Sequence, residues 1–479
     1  MNLQFTNEDL SNFRNARIGT YYIIPLRTTQ GELANFNLNT CAEVLLRGGW
    51  SPYPWEYDDL YEHINSIFSY IPKPGHSTAS NATSAIGINF QMPVETAINH
   101  ACGGWNIGED QEYYVLTDDS RSKREENLQF RFRCMQMVIM HTGIGFLIVG
   151  IESRSPLTSD LLLRAGYNQN SSQLGFVGMQ GKSLGFVDLI KSLLTGTDMT
   201  DYAGCLEKNQ PESILRDTTT YSVAVFPKPF YQNTSEKMKT GIQQLCLNLR
   251  HARSFGTDNH EDVDEEAFFN FAALNNVSEQ KFIRWGIYTL FERAVQIIFQ
   301  NSETPIDPIN LYGKNREDNY LPFLLIALYE RYSYLFFSEM LRYEEKVTKR
   351  SGDWMEEQML RLKAFGVILP GDMTPYHNEN IFLEEQRQIY DIDQSIQLIN
   401  DKLGIIKHIQ ADKIEQRRQL VEKLLAAFGI VSILCDSLGL LDMLLTDTVS
   451  PHIYWLTFGS ELIFIVAAAL ISFILYKRR

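Results

Sequence analysis

Two long apolar segments at the C-terminal end constrain this chain more than any other feature. From Leu424 the sequence reads LLAAFGIVSILCDSLGLLDMLL, about 22 residues in which only Asp436 and Asp442 are charged. From Ile453 it reads IYWLTFGSELIFIVAAALISFILY, about 24 residues carrying only Glu461. Each is long enough to cross roughly 30 Å of hydrocarbon. The expected arrangement is a hairpin: a first transmembrane helix over 424–445, an outer loop over 446–452, a second transmembrane helix over 453–476 and a basic tail, 477–479. Arg417, Arg418 and Lys423 precede the first span, and Lys477, Arg478 and Arg479 follow the second. The connecting TDTVSPHIYW has no Lys or Arg, so both outer ends are expected on the cytosolic side. The N-terminal MNLQFTNEDL lacks the basic and apolar regions of a secretory signal, which is expected to leave the large N-terminal part in the cytosol.

A heptad seam leads into the first span. Apolar residues fall at Ile389, Ile392, Ile396, Ile399, Leu403 and Ile406, in alternating steps of three and four. No proline occurs between Pro375 and Pro451. The spacing therefore predicts a coiled-coil stalk helix over 376–423, with one helix running from near Phe382 to near Leu445. Such a seam, continuous with a membrane span, is best covered by identical neighbours around an axis, so a homo-oligomer is expected.

Residues 1–260 read as a cytosolic domain, α/β or α+β, with no sheet topology assigned. Candidate strands are Ile18–Leu26, Glu112–Asp119, Phe130–Met140, Gly145–Ser153 and Ser222–Pro227, rich in β-branched and aromatic residues. HTGIG, between the third and fourth, reads as a hairpin turn. Helix-like stretches lie at Tyr57–Tyr70 and Gly185–Leu194. FGTDNHEDVDEE (Phe255–Glu266) is an acidic connector and marks a boundary. Residues 261–375 read as a helical cytosolic region, with KFIRWGIYTLFERAVQIIF and the run from Tyr320 as helices. LPFLLIAL is too short to span and belongs in a buried helix facing the stalk.

The formal charge of −15 argues against direct nucleic-acid binding, which needs a basic face. Six scattered cysteines form no metal-ligand pair. No G-x-x-x-x-G-K-[ST], no G-x-G-x-x-G opening a helix, no H-E-x-x-H and no G-x-S-x-G is present, so no catalytic residue is assigned and the chain is not read as an enzyme. No cofactor is required, and whether it holds a metal is left open. Along the first span Gly429, Ser432, Asp436, Gly439 and Met443 repeat at three and four, a small and polar stripe beside leucines. This is the candidate pore lining: a carboxylate is costly in lipid, and a symmetric ring of Asp436 would attract cations. Asp442 and Asp447 lie at the outer mouth. For a cytosolic ligand, Arg131 and Arg133 on one strand, and Arg250 and Arg253 in NLRHARS, are candidate phosphate groups, while Trp105 in CGGWNIGED could stack an adenine.

The order of these parts resembles the CorA-type magnesium-transporter superfamily over roughly 315–479. YERYSYLFFSEMLRYEEK resembles the helix beside the stalk in that superfamily, and FLEEQRQIYDIDQSIQLINDKL resembles the stalk. The resemblance implies a CorA-like funnel: a homopentamer in the inner (plasma) membrane of a bacterium or archaeon, its first span lining a central pore. The Gly-Met-Asn signature that recognises hydrated Mg²⁺ is missing. LDMLLTDTVS stands in its place, with Met443 and Asp447 but no matching asparagine. CorA-like proteins with enlarged cytosolic domains and no such motif resemble membrane effectors of type III CRISPR antiphage systems, opened by a nucleotide second messenger such as an S-adenosylmethionine–AMP conjugate. The expected function is thus a ligand-gated channel with itself, the lipid membrane and a small nucleotide as partners. The alternative is a CorA-type divalent cation transporter for Mg, Co, Ni or Zn, and a membrane-anchored enzyme is a third class.

Overall fold

The computed structural model describes residues 15–29, 36–53, 87–102, 113–115, 129–153, 175–178, 183–206, 208, 217–226, 285–290, 293–299, 321–343 and 377–446, with isolated positions between 451 and 466. The expected helix at Tyr57–Tyr70 and the acidic connector lie outside these residues, as does most of the second span. The chain divides into two units, Met1–Gln397 and Leu398–Arg479.

The first unit is built on one sheet of twelve strands. Its centre is β1 (Arg17–Thr28), flanked by β6 (Ile144–Ser153) and β10 (Thr219–Phe226), with β5 (Gln129–Met140) beyond β6. β2 (Ser51–Pro52), β3 (Gly87–Gln91), β4 (Tyr113–Val115), β7 (Gly175–Gly178) and β8 (Ser183–Gly185) extend the β5 side. β9 (Met199–Asp201) pairs with the end of β1. β11 (Trp285–Leu290) and β12 (Arg293–Phe299) extend the β10 side. Every pairing is antiparallel except β10 with β12. The sheet is therefore almost wholly antiparallel; short turns such as His141–Gly143 let successive strands return directly. Gly143 sits there at φ +80, and a side chain on Gly145 would meet the Val138 carbonyl at 2.8 Å.

Trp285–Leu290 and Arg293–Phe299, within a run expected as helix, pair as the antiparallel strands β11 and β12, and β12 joins the sheet through β10. The boundary expected at residue 260 thus does not divide the sheet, and 261–375 is not all helical. WGIYTL and RAVQIIF are rich in β-branched and aromatic residues, and the pairing with a strand some seventy residues earlier overrides their local helical spacing.

Both faces of the sheet are covered. On one, Tyr22, Ile24 and Leu26 of β1 and Leu147, Val149 and Ile151 of β6 join a core with α1 (Leu38–Arg47), α2 (Val94–Cys102) and α3 (Phe186–Leu194). In β5 the core residues are Phe130 and Phe132, then Met135, Met137 and Ile139. The change of parity is a β-bulge at Arg133, where the register shifts between Phe132 and Cys134. On the other face lies α4 (Leu321–Tyr343), whose Tyr332 meets Phe146 of β6 with ring centroids 6.2 Å apart. LPFLLIAL opens α4, every one of its residues buried, as a two-sided environment requires. α4 packs against α5 (His377–Ile389).

The predicted single stalk helix is broken. α5 ends at Ile389, Asp391 adopts a left-handed φ of +49, and α6 (Ile392–Thr446) then runs for 55 residues, about 80 Å. No proline or glycine marks this break; aspartate is one of the few other residues that tolerate the left-handed region.

Candidate functional site

Three groups of residues carry unusual chemistry, and each is set by a different feature of the fold. The first lies on β5 and β6. Arg131 stands opposite Glu152 in the ladder, and the bulge residue Arg133 reaches Glu152 at 3.5 Å. Arg17 of β1 donates from Nε to Glu152 Oε1 at 2.7 Å. The predicted Arg131 and Arg133 are thus brought together, and Arg17, which sequence reasoning missed, joins them. Its only sequence signal is its place just before the apolar run of β1. Glu152 takes up part of this positive charge, so the cluster is an ion network within the sheet before it is a phosphate site. Trp105, Arg250 and Arg253 lie outside the described residues.

The second group was not foreseen. Glu330 of α4, 1% exposed, receives Arg387 Nη1 from α5 on both carboxylate oxygens at 2.8 Å. Arg387 Nη2 donates to Asp393 Oδ1, in the first turn of α6, at 2.7 Å. One guanidinium therefore ties three helices together at the break around Asp391. Tyr390, also at the break, lies under the Arg331 guanidinium, 4.5 Å from centroid to carbon. The available signal was Glu330 itself, the sole charge in LPFLLIALYE.

Burial pushes the Glu330 carboxyl up to about 8, against the downward pull of Arg387. A carboxyl raised on folding makes the folded state bind more protons than the unfolded state. Its contribution to stability is then full below the unfolded value of 4.5 and is lost as pH rises through about 8. Glu330→Gln is therefore expected to flatten the fall in thermal midpoint of the wild-type protein between pH 5 and pH 9. An unchanged slope would show that another group sets it.

The third group is the stripe on α6. Within this helix, Ile414–Asp442 is long and apolar enough to cross a membrane, and none of its most apolar window is buried in the chain. Gly429, Ser432, Asp436, Gly439 and Met443 all lie on α6, within roughly a quarter of its circumference at 100° per residue. Asp436 is exposed, while Ser432 and Gly439 are half-buried. A methyl group on Gly429 would meet nothing within 4 Å. Asp442, half-buried, projects about 120° away from Asp436 and so lies off the stripe. Asp447 lies outside the described residues. Ser437 Oγ donates to the Ile433 carbonyl at 2.7 Å, satisfying its hydroxyl within the helix as an apolar medium requires.

The seam preceding this span is partly spent within the single chain. Ile392, Ile399 and Leu403 are buried and Ile396 half-buried, whereas Ile389 lies across the break on α5. Below Leu403 the apolar residues open outward, Ile405, Ile414 and Leu420 each being 60% or more exposed. Arg418 stands five turns below Asp436 on the same line and bonds Glu422 at 2.9 Å.

No group of three or more His, Cys, Asp or Glu side chains that could hold a metal ion occurs among the described residues. Comparison of the chain with protein-family models, with curated proteins and with solved structures finds no match.

Proposed function

We propose that this chain is a ligand-gated membrane channel of several identical subunits, with the Asp436 stripe of α6 as its pore lining. The observation that carries the reading is the continuous α6: it begins at the Arg387 network and ends in an apolar stretch that no described residue covers. An exposed apolar surface of this size in water would aggregate; in lipid it is at equilibrium. Self-association falls to the lower part of α6, since the upper seam is already buried.

The ligand class proposed is a nucleotide second messenger, of the kind that type III CRISPR systems use. Arg131 and Arg133 supply guanidinium groups suited to phosphate. Opening then follows from tighter binding to the open state: moving a channel from 1% to 99% open needs about 5.5 kcal/mol of differential affinity.

The test is ion flux from liposomes holding the purified full chain, with and without an S-adenosylmethionine–AMP conjugate or cyclic oligoadenylates. Flux is expected to rise at least tenfold on nucleotide addition. Nucleotide-independent uptake selective for Mg²⁺ would replace this reading with a divalent cation transporter.

A further inference from the structure

The face of the sheet that carries Arg131 also carries a set of polar groups with no assigned purpose. In the β3–β5 ladder Asn89 stands opposite Val138, and Gln91 opposite Gln136. Asn89 and Gln136 are therefore diagonal neighbours on one face, the face opposite Ile88 and Phe90 of the core. They are 1% and 2% exposed. Yet Asn89 Nδ2, Asn89 Oδ1 and Gln136 Oε1 have no hydrogen-bond partner.

Burial without a partner is what native proteins avoid, and each exception calls for a group that completes it. Three such atoms on two diagonal neighbours of one face form a group rather than a single defect. The surroundings are equally specific. Tyr53 N donates to the Asn89 carbonyl at 2.9 Å, so the register of β2 and β3 places Tyr53 beside Asn89 on the same face. Burial, then the nearby Cys134, raises the Tyr53 phenol, which sets Cys134 close to it. Tyr53, Gln91 and Cys134 are all half-buried, so the strip is less covered on their side than at the amides.

We infer that Asn89 and Gln136 form the base-reading end of a nucleotide site, with Tyr53 as the ring on which the base stacks. An unpaired side-chain amide presents a donor next to an acceptor, the complement of adenine N7 and N6. A half-buried tyrosine beside them adds a stacking surface. Arg133 follows three residues before Gln136 on the same strand, roughly 10 Å away at strand rise, a span that a nucleotide covers between base and phosphate. The inference deepens the proposed gating by naming where the messenger's base sits, and rests on that reading for its role.

The test uses the purified full chain in detergent, titrated calorimetrically with AMP and with ribose 5-phosphate. AMP should bind at least tenfold more tightly than ribose 5-phosphate, because only AMP carries a base. Asn89→Leu should remove that difference; Asn89→Asp, nearly isosteric but without the donor, should shrink it about tenfold if the leucine variant fails to fold. Equal binding of the two probes, no AMP binding, or AMP binding unchanged by either variant would overturn the site. AMP binding that depends on Asn89, with no nucleotide-driven flux in liposomes, would leave the site standing and remove the gating role.

Discussion

At pH 9, where the Glu330 carboxyl is ionised, Arg387→Met is expected to cost about 3–5 kcal/mol of folding stability, the loss typical of removing one partner from a buried ion pair. The penalty arises because Glu330, 1% exposed, loses the N–H donors that accompany its carboxylate, while Asp393 loses its link to α5. Glu330 can escape by taking a proton, so the loss should be smaller at pH 5 than at pH 9. A Glu330→Met/Arg387→Met double variant should recover most of the stability, since two packed apolar side chains leave no buried charge. Denaturant midpoints of the three proteins, compared at unchanged slope, measure this. A single variant within about 0.5 kcal/mol of wild type would mean that the network is solvated and does not hold the α5–α6 break.

That network also marks the limit of what local pattern could reveal. The strands of β1, β5, β6 and β10 were legible because each is a short run of β-branched and aromatic residues bounded by turn formers. β11 and β12 were not. KFIRWGIYTLFERAVQIIF has apolar residues at both helical and strand spacing, and its decisive partner, β10, is remote in sequence. The break at Asp391 was hidden for a related reason: the three-and-four spacing continues through it, so Ile389 and Ile392 read as one seam although they lie on different helices. Glu330 and Arg387, 57 residues apart, have nothing in common until α4 and α5 pack.

Candidate sites divide along the same line. The stripe from Gly429 to Met443 follows from helical geometry alone, and one helix carries it. Arg131 and Arg133 were legible as neighbours on a strand, but Glu152 and Arg17, which set their electrostatics, arrive through β6 and β1. Asn89 and Gln136 were invisible, because an amide acquires meaning only when its burial and its missing partners are known.

In the proposed channel, Asp436→Asn is expected to lower cation conductance about tenfold and to weaken cation-over-anion selectivity. A ring of carboxylates in a narrow, weakly screened pore concentrates cations, and neutralising it removes one charge from every subunit at the same height. The geometry supplies its own control. Asp442 lies about 120° from Asp436 on α6, so Asp442→Asn should change conductance by less than about twofold. Both variants keep the helix intact, and asparagine is easier to place in an apolar medium than aspartate, so loss of assembly would not explain a selective effect at Asp436. Single-channel recordings of the two variants in planar bilayers, beside wild type, decide the matter. Equal conductance in all three would take Asp436 out of the pore lining and turn the stripe toward a helix–helix contact, where Gly429, Ser432 and Gly439 would let backbones approach closely.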